Sequence, residues 1–189
     1  MNTVEWNNLT SGLVGAVIGA IAGFVGSVLL NWRTTRQTQR AAARAVLAEM
    51  FTNADRALSA ESTLVFHEFL DGAWRTQLPL VAELLRWPDL KILVNAYDSA
   101  ARAYENARGE LPMIERETQI VGSAFSVQRR REKVCSWFLA VADEWVKAMR
   151  LLRPSAIRRR ERGGFDGDIQ KIEQRLNSAK ALYAQDKFA

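Results

Sequence analysis

A run of 22 residues without a charge, Leu9 to Leu30, constrains this chain more than any other feature. Its only polar side chains are Thr10, Ser11 and Ser27. At a rise of about 1.5 Å per residue the run makes a helix of roughly 33 Å, which matches a hydrocarbon core of about 30 Å. Trp6 precedes it and Trp32 follows it, roughly 39 Å apart on a helix and so near the two headgroup levels where indoles settle. Behind the run come Arg33, Arg36, Arg40 and Arg44, set against Glu49; in front lies only Glu5. The Lys/Arg imbalance predicts a single-pass protein of the cell's inner membrane, with its N-terminus outside and its C-terminus in the cytoplasm. The expected layout is an extracytoplasmic tail at 1–8, a transmembrane helix at 9–32 and a cytosolic domain at 33–189. Trp6, Trp32, Arg33, Arg36 and Arg40 are the interface anchors.

Two other readings fit less well. A cleaved signal peptide needs a basic leading region, but MNTVEW carries an acid and no Lys or Arg, although Ala20-Ile21-Ala22 resembles a cleavage site. A buried helix of a soluble protein rarely runs this long without a charge.

Gly12, Gly15, Gly19, Ala22 and Gly26 are spaced 3, 4, 3 and 4, which keeps them on one helix face, widened by Ala16, Gly23 and Ser27. In lipid no hydrophobic force drives helices together, and such a strip lets two backbones approach and gain van der Waals contact. It predicts a homo-oligomer or packing on a partner's transmembrane helix.

The remaining 150 or so residues are enough for a real core. Apolar positions recur at helical spacing throughout, and no alternating strand-length run interrupts them. The expected fold is all-α: the membrane helix continues into a cytosolic antiparallel bundle of four to five helices. The boundaries read 33–70, stopped by Asp71-Gly72, then 78–87, stopped by Pro88. After these come 89–108, ending at Arg108-Gly109, 113–152, ending at Pro154, and 168–185, capped by Asp166 or Asp168. Thr34, Thr35, Thr38 and Gln39 mark a stretch where a bend is easily accommodated. In the longest helix Ile120, Val121, Ala124, Phe125 and Val127 head the expected inward stripe, and SAIRRRERGGFDGD before the last helix reads as a linker.

No catalytic set emerges. The carboxylates fall in helical pairings with Arg, as Glu105 with Arg108 or Glu49 near Arg44, which are solvated pairs rather than acid/base dyads. His67 reads as an ordinary residue of the first cytosolic helix, and Cys135 as a packed small hydrophobe. One His and one Cys cannot assemble the usual zinc ligand sets. Gly163-Gly164-Phe165-Asp166-Gly167-Asp168 lacks both the Gly-Lys-Ser/Thr ending of a phosphate loop and the bidentate Glu of a calcium loop. Neither a metal nor a cofactor is expected, nor enzyme activity.

Charge is what remains. Twenty-six basic residues oppose 21 acidic ones, and they concentrate at Arg129–Lys133 and at Arg153, Arg158, Arg159, Arg160 and Arg162. A solvated face is the default for such runs; a cytosolic protein partner is next, and nucleic acid is the weaker candidate. Taking residues 33–70, 74–108 and the long helix as successive legs, the second basic cluster falls far from the bilayer. The leading function is therefore a membrane-anchored, non-enzymatic interaction or adaptor protein. The alternatives are a small oligomeric pore or membrane-disrupting effector, which the scarcity of polar residues for a lumen disfavours, and a tethered nucleic-acid binder.

Overall fold

The absence of proline from the first 78 residues allows a long uninterrupted helix, and α1 occupies Thr3–Thr63. The computed structural model describes residues 3–63, 67–120, 124–157 and 162–186. Among these, α2 (Gly72–Ala82), α3 (Trp87–Thr118), α4 (Ala124–Ala156) and α5 (Arg162–Asp186) follow α1, and there is no strand. The chain is all-helical, and it divides into two compact units, Met1–Thr38 and Gln39–Ala189.

The first unit is the N-terminal part of α1. It belongs to the one helix among the described residues that is long and apolar enough to cross a membrane. Ser27 Oγ donates to the Phe24 carbonyl at 2.8 Å, Thr34 Oγ1 to that of Leu30 at 2.9 Å and Thr38 Oγ1 to that of Thr34 at 3.0 Å. Each hydroxyl is satisfied within the helix itself, which is how Ser and Thr are tolerated where water is scarce. The helix is unbroken through the threonines.

In the second unit one hydrophobic core draws on all five helices. Trp145, Phe138, Leu47, Met50, Leu93 and Met149 are its largest buried side chains. α3 packs along α4, and α4 along α5. Ala96, Ala100, Ala103 and Ala107, spaced 4, 3 and 4, are all buried on α3, and their small side chains let its backbone come close to α4.

Most boundaries differ from those the sequence suggests. α1 does not reach Leu70: residues 67–71, His67 among them, are non-helical. Asp71-Gly72 opens α2 instead of closing α1, so Pro79 lies inside α2 rather than in its first turn. Pro88 sits at the start of α3, where its missing N–H has no cost, instead of ending the previous helix. α3 then runs through Gly109 and Pro112 to Thr118. Gly and Pro inside a helix cost about 1 and 3 kcal/mol. Glu110 and Glu117, paired with α4, and the buried Ile114 hold that last stretch down.

α4 begins at Ala124 and passes Pro154. Ile120 and Phe125, expected inside, are 61% and 80% exposed, and Ala124 is exposed too: Ile120 follows the end of α3, and Ala124 and Phe125 open α4; Val121 and Gly122 lie outside the described residues. Val127 is buried as expected. The glycine-rich segment from Arg162 is helical, not a linker. Phe165 packs edge-on against Phe51 of α1 at 4.7 Å, and Asp166 accepts from Arg153 at 2.7 Å instead of capping a helix.

Candidate functional site

Every described side chain from Val14 to Thr38 is exposed except at Gly26, which is half-buried. Phe24, Ile18 and Ile21 are 59–70% exposed, and none of the described residues covers them. At Gly15, Gly19, Gly23 and Gly26 a Cβ would meet nothing within 4 Å, so the small-residue face is open. Ala22 is likewise exposed. The side chains of Gly12's neighbours and of Trp6 lie outside the described residues. Of the interface anchors, Trp32, Arg33, Arg36 and Arg40 are all exposed, and the Arg36 guanidinium stands 5.6 Å over the Trp32 ring.

The basic clusters are partly committed within the chain. Arg130 pairs with Glu110 at 2.7 Å and Glu117 at 2.9 Å, and Lys133 with Glu110 at 2.7 Å. Hydrogen bonds from Lys133 and Arg130 hold the Glu110 carboxyl below the usual carboxylate range. Arg153 is bound to Asp166. Arg158, Arg159 and Arg160 lie outside the described residues, and Arg162 is the first residue of α5. Arg44 Nε donates to the Ala156 carbonyl at 3.0 Å, which joins the end of α4 to α1 within the second unit.

A third feature escapes the sequence. Glu49 is not a surface partner of Arg44; it is buried, 8% exposed. One carboxylate oxygen accepts from the Ala73 N–H at 2.7 Å, and the other from the Trp74 N–H at 3.1 Å and the Tyr97 hydroxyl at 2.7 Å. The first N–H groups of α2 have no partner within their own helix, and a carboxylate from α1 caps them. The neighbouring turns of α1 continue the clasp. Asn53 exchanges two hydrogen bonds with the Leu70 backbone, at 2.7 and 2.8 Å, and Arg56 donates to the Glu68 carbonyl. The only sequence signal is Glu49, Asn53 and Arg56 at 4 and 3 spacing, which places three polar residues on one helix face.

Tyr97 lies between two indoles, stacked on Trp74 at 4.6 Å and edge-on to Trp145 at 4.5 Å. Burial, and then the Glu49 carboxylate it donates to, push its hydroxyl pKa far above the ordinary value of 10.0. It stays protonated and serves as a donor, not a base. A cleft of about 380 Å³ lies alongside, lined by Trp74, Tyr97 and Tyr104 and edged by Glu68, Asp98 and Glu105.

The buried carboxylate is thus fully occupied in joining helices, and Cys135 is packed in the core. His67 is exposed, outside any helix. Among the described residues no group of His, Cys, Asp and Glu could hold a metal ion. No protein-family model, curated protein or solved structure matches the chain.

Proposed function

We propose that this chain is a single-pass membrane protein whose helical bundle is a non-enzymatic interaction module on the cytoplasmic side, with the N-terminus outside. The observation that carries the reading is residues 14–30 of α1, an apolar segment with exposed side chains whose one hydroxyl, that of Ser27, is satisfied within the helix. In water such a surface is costly; a bilayer removes it from solvent at about 25 cal/mol per Å². The glycine face is the self-association surface, since Gly15, Gly19 and Gly23 leave room for a second backbone. The bundle is antiparallel in this reading. Gln39 pairs with Glu83 while Asn53 pairs with Leu70, and Arg153 with Asp166 while Asp143 pairs with Lys180.

Mass measurement of the full chain in mild detergent, beside Gly19→Ile, tests this. The expected result is an oligomer that Gly19→Ile reduces to monomer. A wild-type monomer at every concentration would overturn self-association. Anchoring is tested separately by alkaline washing of membranes from expressing cells, which should leave the chain in the pellet.

A further inference from the structure

We infer that the cleft between Tyr97 and Tyr104 is a binding site for a small organic cation of the alkylammonium class, with an apolar body and one diffuse positive charge. The inference goes beyond the interaction role and stands whether or not α1 crosses a membrane.

Shape comes first. Tyr97 and Tyr104 are seven residues apart on α3, about 10 Å along the axis, so they lie two turns apart on one face. Between them the cleft is lined by Ala100 and Ala101, whose methyl groups fill little of the gap. Trp74 near the start of α2 and Phe69 in the segment before it supply further walls. The resulting cavity of about 380 Å³ falls in the range of small-ligand sites, roughly 300–1,000 Å³.

Charge selects the ligand. Four acids line the cleft, Glu68, Asp71, Asp98 and Glu105, against one base, Arg75, which is paired with Asp71. Glu68, Asp98 and Glu105 are exposed and form no ion pair among the described residues. Of the neighbouring bases, Arg56 donates to the Glu68 carbonyl and Arg102 lines a separate groove with Trp137. A fifth carboxylate backs the wall. Glu49 accepts from two backbone N–H groups and the Tyr97 hydroxyl, all neutral donors, and no cationic side chain pairs with it among the described residues. Besides burial, Glu49 and then Asp71 push the Tyr97 hydroxyl pKa upward, as a negative potential at this wall requires.

Such a potential repels anions. A hard metal ion needs several oxygens converging on one point, and among the described residues no group of His, Cys, Asp and Glu could hold one. Aromatic walls edged by separated carboxylates suit a larger, weakly hydrated cation instead, which gains from the rings and from the field together.

Isothermal titration calorimetry of the full chain in maltoside tests the site. Choline is the probe, and dimethylbutanol, in which carbon replaces the charged nitrogen, is its neutral counterpart. The expected result is saturable choline binding with a Kd of about 1 mM or below, and none for dimethylbutanol. Asp98→Asn combined with Glu105→Gln should weaken choline about tenfold, or about threefold for each exposed charge. Ala101→Leu removes no charge but fills the hollow, and should abolish binding. Asp98, Ala101 and Glu105 are all exposed, so both variants should keep the wild-type melting temperature. Dimethylbutanol binding as tightly as choline, choline binding unchanged in both variants, or no saturable heat up to tens of millimolar choline would overturn the proposal. So would displacement of choline by magnesium at matched ionic strength, which would reduce the cleft to a patch of screened acids.

Discussion

Replacing Glu49 by Gln keeps the shape of the side chain and turns one acceptor into a donor that faces a backbone N–H. Two helix N–H groups and the Tyr97 hydroxyl share that carboxylate. A buried group left without its partner costs about 1–3 kcal/mol, so Glu49→Gln should lower stability by about 2–3 kcal/mol in denaturant unfolding. Tyr97 gives a pH signature. Its pKa is raised in the folded chain above the ordinary 10.0, so its contribution is complete below pH 10 and is lost as pH rises beyond it. Thermal stability should fall above pH 10, and less steeply in Tyr97→Phe. Glu110 gives the opposite sign. Its folded pKa is lowered from 4.5, first by Lys133 and then by Arg130, so that contribution is present above the unfolded value and lost as pH falls through the folded one. Glu110→Gln should flatten the acid side of the stability profile, read by melting between about pH 5 and 3.

At the scale of elements, type was legible and extent was not. The 3–4 spacing of Leu90, Leu93, Val94, Tyr97, Ala101 and Tyr104 marks a helix because such spacing reflects how one face meets a core, although the structure buries Ala96 and Ala100 and leaves Ala101 exposed. Where a helix stops is set by groups that are distant in sequence. The cap of α2 comes from Glu49, some 24 positions upstream, and nothing local announces it. Likewise Gly109, Pro112 and Pro154 read as stops, but packing against neighbouring helices outweighs costs of about 1–3 kcal/mol each. Gly109 illustrates the residual cost. A methyl there meets nothing within 4 Å, so Gly109→Ala should stabilise the chain by about 0.5–1 kcal/mol, read from the urea midpoint. Of the candidate site, the apolar run and its glycines could be read directly, since composition alone specifies them. The Glu49 clasp could not, because one buried carboxylate looks like any other until its partners are assembled.

For the molecule as a whole, the contacts that close the second unit are distant in sequence. Arg44 and Ala156 are 112 positions apart, and Asp55 and Arg175, which form an ion pair, are 120 apart. Phe51 is covered by Phe165. A chain cut after Ile157 should therefore lose its cooperative unfolding transition and bind a hydrophobic dye, read by calorimetry and fluorescence. These spans also set a timetable. A ribosome adds about 5–20 residues each second, so Val46, Leu47 and Met50 are made several seconds before the residues of α4 and α5 that complete their core. During that interval the nascent α1 presents one oily stretch after another. It is a substrate for any chaperone or protease that patrols unfinished chains until its last helix arrives.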